Sequence, residues 1–148
     1  FYEDCLVPLN VLYGLEGKLS EALSDKVWLK CGGFLYIEPT QALTVIDVNS
    51  GKYDKKIPKE DAYYRVNMEA AEEIARQITL RNLSGIIIVD FLKTTEEYSN
   101  TLLDTLREEA RKDPVQTVVV DMTALGLVEI TRKKTEASLY EKLKTTEL

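Results

Sequence analysis

The sequence predicts an α/β domain with a mixed sheet, in which a parallel strand–helix–strand (βαβ) unit forms the core and helices flank the sheet. Two apolar segments with strand composition, residues 42–48 and 86–89, each carry an aspartate at the carboxyl end. Between them, apolar residues recur at helical spacing over residues 59–80. A strand, a helix and a strand in this order form a right-handed crossover, which makes the two strands parallel.

The residues before this unit predict a helix and an antiparallel meander. Leucines at helical spacing predict a helix over residues 10–23. Alternating apolar residues then predict two strands, each followed by a turn. The strands are residues 27–30 and 34–38, and the turns are residues 31–33 and 39–41.

The last part of the unit and the residues after it predict the rest of the sheet. The continuous apolar run 86–89 is typical of a central strand buried on both faces. A capping-box pattern at residues 94–97 opens the next helix, which Asp113 and Pro114 end. Two more strands, residues 115–122 and 127–131, precede a polar tail that begins at residue 132.

Composition limits the chemistry that this chain can perform. Its 148 residues, 45% hydrophobic and 30% charged, suffice for one globular domain with a core. The absence of histidine excludes Ser-His-Asp and Cys-His nucleophile systems, a histidine base and typical Cys/His zinc sites. Catalysis would therefore depend on carboxylates, amides, Lys, Arg, Tyr and metal ions.

Net charge, the cysteine pattern and hydropathy limit the class of protein and the cellular compartment that we expect. A net charge of −6 argues against a free-standing nucleic-acid binder. Two cysteines without metal-ligand spacing indicate idle thiols in a cytoplasmic protein. No apolar run approaches the roughly 20 residues of a membrane helix. Because the chain begins at Phe1 without an initiator Met, we expect it to be a piece of a longer protein.

The two aspartates predict a metal centre. Parallel strands bring their carboxyl ends to one edge of the sheet, so Asp47 and Asp90 should face one crevice. Close carboxylates repel each other unless a proton or cation intervenes, and Mg²⁺ suits such oxygen ligands. Asn49 shares a face with Asp47 and can orient its carboxylate or hold a phosphate oxygen. Local roles remain open: residues 47–51 could cap a turn, and Asp90 could accept bonds from loop amides.

Several other polar residues are candidates for weaker roles. Basic residues near helix and strand ends could contact phosphate, although a solvated surface position is the simpler interpretation. These candidates for phosphate contact are Arg76, Arg81, Arg132 and Lys133. Asn67 lies beside the apolar stripe of the predicted helix 59–80, and we expect it to make a buried structural hydrogen bond.

Four segments, in order, resemble the motifs of the ribonuclease E/G family. They are IEPTQALTVIDVNSG at residues 37–51, NMEAAEEIARQ at 67–77, LRNLSGIIIVDF at 80–91 and LGLVEITRKK at 125–134. The resemblance implies a deoxyribonuclease I-like catalytic subdomain at residues 26–148, preceded at residues 1–25 by the helical end of a ribonuclease H-like subdomain. It implies a cytoplasmic Mg²⁺-dependent endoribonuclease of RNA processing and decay, which hydrolyses single-stranded RNA to 5′-phosphate and 3′-hydroxyl ends. Asp47 and Asp90 would hold the metal, with Asn49 supporting Asp47. The phosphate contacted by Arg76, Arg81, Arg132 and Lys133 would then be that of RNA.

The chain also departs from that family pattern. The family's OB-fold RNA-binding domain and its sensor of 5′ ends are not in this sequence, so we expect them as partners within a longer protein. Lys93 stands where an acidic residue is frequent, and Ala124 where Arg or Glu is frequent. The paired-cysteine zinc motif is absent, so zinc is not expected and homo-oligomerisation is left open. Alternatives are a catalytically inert fragment, an assembly module and a metal-dependent phosphatase.

Overall fold

The computed structural model describes residues 24–135, 138, 141 and 142. The strands are β1 (Lys26–Trp28), β2 (Phe34–Pro39), β3 (Thr44–Asn49), β4 (Gly85–Asp90), β5 (Thr117–Met122) and β6 (Leu127–Arg132), and the helices are α1 (Lys59–Arg81) and α2 (Glu96–Arg111). The predicted elements agree with these bounds to within two residues at each end. The predicted helix at residues 10–23 and most of the polar tail lie outside the described residues, as does nearly all of the subdomain assigned to residues 1–25.

The strands form one mixed sheet in the order β1-β2-β3-β4-β6-β5. β3 and β4 are parallel and α1 connects them, whereas every other neighbouring pair is antiparallel. The predicted α/β class, with a parallel βαβ core in a mixed sheet, is therefore confirmed. The position of β6 between β4 and β5 could not be predicted from the local pattern of residues.

Both helices cover the same face of the sheet. Alternate residues of the central strands point into this layer and are buried, as Ile46, Ile87 and Val89 illustrate. The facing stripe of α1 includes Ile74 and Ile78. α2 begins at Thr95, whose hydroxyl oxygen accepts a hydrogen bond from the Tyr98 amide, within the predicted capping segment.

The opposite side of the sheet, here called the open face, carries exposed side chains. Large apolar residues stand there on four of the six strands and are solvent-accessible: Trp28, Tyr36, Ile86, Val118 and Val120. Ile86 is 48% exposed, so the prediction that residues 86–89 are buried on both faces is wrong. The reason is that, in the described part of the chain, α1 and α2 cover one side only.

Candidate metal centre

Asp47 and Asp90 lie side by side at one edge of the sheet. They are Cα partners in the parallel ladder between β3 and β4, and both side chains are exposed on the open face. Their chain neighbours Ile46 and Val89 point into the core, which fixes the outward direction of both aspartates. Since neighbouring strands lie about 4.8 Å apart, both carboxylates can reach one cation. The prediction that they share an edge is confirmed.

Asn49 is placed to orient the first aspartate. It lies two residues after Asp47 on β3 and faces the same side. Its Nδ2 donates a hydrogen bond to Oδ2 of Asp47 at 3.3 Å. This bond uses Oδ2 of Asp47 and so orients the whole carboxylate group, including Oδ1.

The donor set fits a loosely held magnesium ion. Among the described residues no group of three or more His, Cys, Asp or Glu side chains could enclose a metal. Mg²⁺ commonly binds through one or two carboxylates and completes its octahedron with waters and substrate phosphate oxygens, whereas Ca²⁺ and Zn²⁺ sites use more protein ligands. Two exposed carboxylates on neighbouring strands, those of Asp47 and Asp90, match the protein ligands that such a magnesium site requires.

A buried asparagine supports the segment that follows Asp90. Asn67 on α1 is 1% exposed, and its Nδ2 donates to the Leu92 carbonyl oxygen at 2.8 Å. Its Oδ1 accepts a hydrogen bond from the Leu92 amide at 3.0 Å. The expected structural hydrogen bond of Asn67 is thus confirmed, and it fixes the backbone two residues beyond the second aspartate.

Two glycines let the β1–β2 turn pack against the end of β3. Gly51 has a φ of +59°, a conformation that favours glycine, and a Cβ there would overlap the carbonyl oxygen of Gly32. A Cβ on Gly33 would lie 2.8 Å from the Asn49 carbonyl oxygen. The Glu69 carboxylate holds the same turn by accepting hydrogen bonds from the amides of Lys30 and Cys31. The β1–β2 turn, held by Glu69, therefore restricts the backbone position of Asn49.

Two of the predicted RNA-contacting arginines are buried and bonded within the fold. Arg132 donates from Nε to Asp113 at 2.8 Å and from Nη1 to the Leu83 carbonyl oxygen at 2.9 Å. Arg81 donates from Nε to Gln77 and from Nη2 to the Ser24 carbonyl oxygen. Burial lowers the pKa of Arg81. Both guanidinium groups have a structural role here.

The other two predicted basic residues lie on the surface, away from the aspartates. Arg76 on α1 pairs with Glu73 at 2.7 Å, and Lys133 is exposed just after β6. Arg132, beside Lys133, pairs with Gly85 at the start of β4, whereas Asp90 ends that strand. Five residues of strand correspond to about 17 Å, so the fold does not bring Lys133 to the aspartates. Arg76 lines a cavity on the helix side of the sheet, and neither aspartate lines that cavity. Their contact with RNA stays a prediction.

A cavity of about 860 Å³ lies on the helix side of the sheet, away from the aspartates. Its walls combine apolar residues of β1, such as Val27, with charged residues of α1 and the end of α2, such as Glu69 and Lys112. Neither Asp47 nor Asp90 lines it. The candidate centre is thus an open sheet edge that a ligand would approach from the open face.

Sequence reasoning missed the aromatic neighbours of the aspartates. Tyr36 on β2 is the Cα partner of Asp47, and Phe34 is the partner of Asn49. The alternation of Phe34 and Tyr36 in the predicted strand 34–38 was the available signal. Without the β2–β3 register, however, that pattern did not say that both rings would stand beside the acids.

The fold and the site together define a mixed α/β domain with a two-carboxylate centre at the carboxyl ends of its parallel strands. Residues 2–135 match a profile of the Ribonuclease E/G family, and the chain belongs to that family.

Curated relatives extend the likeness over most of the chain. It is 44% identical over 133 residues to a protein named Ribonuclease G from Haemophilus influenzae, and 42% identical over 133 residues to Ribonuclease G from Escherichia coli. It is 39% identical over 135 residues to Ribonuclease E from Nostoc sp.. These alignments cover 89–90% of the chain but only 20–27% of each relative, so the chain spans about a quarter of their length.

Proposed function

We propose that this chain carries the metal centre of a Mg²⁺-dependent endoribonuclease, which hydrolyses single-stranded RNA to products with 5′-phosphate and 3′-hydroxyl ends. The observation that carries the proposal is the register of β3 and β4, which pairs Asp47 with Asp90 on the open face. Membership of the Ribonuclease E/G family supports RNA as the substrate. None of the described helices has the length and hydropathy of a membrane span. The resemblance to the ribonuclease E/G family is the basis on which we propose that the reaction takes place in the cytoplasm.

The residues of the centre have separate roles in this proposal. Asp47 and Asp90 concentrate negative charge at the edge and would hold Mg²⁺ between them. When bound, the ion would activate a water molecule and stabilise charge on the scissile phosphate. Asn49 keeps the Asp47 carboxylate oriented through its hydrogen bond, and Asn67 fixes the backbone beyond Asp90. Such outer contacts typically change metal affinity or activity by about 10–100-fold.

Substrate positioning would come largely from outside this chain. The chain carries a net charge of −6, whereas a protein that binds a polyanion by itself usually has a basic surface. We propose that an OB-fold domain and a sensor of RNA 5′ ends, in the longer protein, bring single-stranded RNA to the centre. Because positioning supplies much of the rate of such reactions, the chain alone should cleave slowly.

The test is single-turnover cleavage of a 5′-labelled single-stranded RNA, with the chain in excess and with Mg²⁺ present or chelated. The parent should give a Mg²⁺-dependent labelled fragment that ends in a 3′-hydroxyl, and the unlabelled downstream fragment should carry the new 5′-phosphate. Replacing Asp47 or Asp90 with Ala should lower the rate at least about 100-fold, and Asn49→Ala about 10–100-fold. Glu38→Ala is the matched control. Glu38 is an exposed carboxylate like Asp47 and Asp90, but it lies on β2 and is not a Cα partner of either aspartate.

The outcomes separate the competing interpretations. Equal rates for the parent and both aspartate variants would show that another centre, or a contaminant, cleaves the RNA. Absence of any Mg²⁺-dependent cleavage would favour an inert fragment or an assembly module. Hydrolysis of small phosphate esters with RNA left intact would indicate a phosphatase.

A further inference from the structure

Three aromatic side chains form a cluster on the open face beside the metal centre. The ring centroids of Trp28 and Phe34 are 5.2 Å apart, and those of Phe34 and Tyr36 are 5.5 Å apart. The Nζ of Lys26 lies 4.1 Å from the Trp28 ring centroid and 4.2 Å from that of Phe34. We call Trp28, Phe34 and Tyr36 the aromatic platform.

The sheet register joins this platform to the aspartates. One row across β1, β2, β3 and β4 consists of successive Cα partners: Lys26, Tyr36, Asp47 and Asp90. The next row consists of Trp28, Phe34 and Asn49. Neighbouring strands are about 4.8 Å apart, so Tyr36 on β2 is one strand spacing from Asp47 on β3. A ligand group held at the acids would therefore have aromatic surface immediately beside it.

The platform is accessible, which is unusual for such large rings. Trp28 is 64% exposed and Tyr36 is 37% exposed. Contiguous exposed apolar surface that is bordered by polar groups typically marks a binding site. Exposed aromatic rings beside a cation have a particular chemical match in single-stranded nucleic acid, where bases stack on rings and phosphates meet ammonium groups.

We infer that the aromatic platform stacks the bases of single-stranded RNA next to the phosphate held at Asp47 and Asp90, and that Lys26 contacts a neighbouring phosphate. This inference rests on the proposed function, because it takes the aspartates as the phosphate end of the site. Stacking on rings does not depend on base identity, so the platform would position the strand without selecting a sequence.

Continuity with the metal centre favours RNA over a protein partner on this part of the face. The three rings, the Lys26 ammonium group and the two acids lie on four consecutive strands, β1 to β4, in two adjacent rows of Cα partners. The other exposed apolar residues, such as Val118 and Val120, stand on β5 at the far edge of the sheet.

The test measures binding without cleavage. A fluorescein-labelled RNA decamer and an abasic decamer with the same backbone charge are titrated in EDTA at low salt, and anisotropy reports the affinity. Trp28 is the single tryptophan of the chain, so its fluorescence reports stacking directly. The base-bearing decamer should bind more tightly than the abasic one and quench Trp28, and the abasic decamer should leave the fluorescence unchanged.

Variants then identify the surface. Trp28→Leu and Tyr36→Ala should each weaken binding of the base-bearing decamer by about 5–150-fold, the range expected for loss of one base–ring stack. Neither should change binding of the abasic decamer. Val118→Ala, on the same face at the far edge, is the matched control and should bind as the parent does.

Several results would overturn the inference. They are equal affinity for the two decamers, no binding of either decamer, or a loss in Val118→Ala as large as in Trp28→Leu. A dimer in sedimentation that Trp28→Leu dissociates would instead make the platform an interface between copies. If cleavage depends on Asp47 but the Trp28 and Tyr36 variants bind RNA as the parent does, the platform inference is wrong and the proposed function stands. If binding depends on the bases but no RNA is cleaved, the proposed function is wrong and the platform remains a binding surface.

Discussion

Replacing Asp113 with Asn should lower the free energy of unfolding by about 2.5 kcal/mol at pH 7. The Asp113 and Arg132 side chains are 4% and 2% exposed and are joined at 2.8 Å. Burial by itself would raise the pKa of Asp113, but hydrogen bonds from Arg132, the Val115 amide and Thr117 lower it from 3.8 to about 2. At about 1.36 kcal/mol per pKa unit, this decrease corresponds to the predicted loss.

The pH dependence follows from the same values. A carboxyl whose pKa is lower in the folded chain contributes its full stabilisation above pH 3.8 and loses it as the pH falls to about 2. The difference between the parent and Asp113→Asn should therefore be constant near neutrality and shrink between these pH values. Asp113→Ala should cost more, about 3–5 kcal/mol, because Arg132 would remain buried without its partner.

Urea denaturation followed by circular dichroism, at pH 7 and at several acidic values, measures these differences. Arg76→Gln is the matched control, because the Arg76–Glu73 pair is equally short but Arg76 is 63% exposed, and its loss should cost less than about 0.5 kcal/mol. A loss below about 1 kcal/mol in Asp113→Asn, or one that does not change with pH, would refute the reasoning. If the role of Arg132 is instead to bind RNA, removing its charge partner in Asp113→Asn should strengthen RNA binding and leave the free energy of unfolding unchanged.

Two further changes test the backbone around the aspartates. Asn67→Ala should lower the free energy of unfolding by about 2–3 kcal/mol and slow RNA cleavage, because both hydrogen bonds to Leu92 are lost in a buried site; Asn100→Ala, on the exposed side of α2, should change stability by less than about 0.5 kcal/mol in the same melts. Gly51→Ala should cost more than about 2 kcal/mol, since a positive φ is combined with overlap on a carbonyl oxygen. Gly126→Ala, where φ is +85° but the space is empty, should cost only about 1 kcal/mol, and equal losses would contradict this account.

The parallel unit was predictable because its signals are local. Apolar periods of two and 3.6 residues distinguish strands from helices, and a helix between two strands is enough to make them parallel. The edge position of Asp47 and Asp90 followed from that topology alone. The hydrogen bond of Asn49 also followed from local geometry, because residues two apart on a strand share a face.

What the sequence left open depends on contacts between distant segments. The burial of Arg132 requires Asp113, 19 residues earlier, and Leu83, 49 residues earlier. Periodicity around Arg132 gives no sign of either partner, so a surface role was the natural expectation. The exposure of Ile86 was equally hidden, because an apolar run does not say how many faces of the sheet are covered.

The same pattern that holds the sheet together also assembles the candidate site. Ile46 and Val48 are buried against the helices, and a slip of one residue in the register of β3 would turn them outward. That slip would also turn Asp47 and Asn49 into the core and separate Tyr36 from its acidic neighbour. The free energy of apolar burial therefore fixes the positions of Asp47, Asn49 and the aromatic platform together. Because these positions depend on the core of the described residues, a substitution that leaves the core intact should change binding or rate and leave the geometry of the candidate centre unchanged.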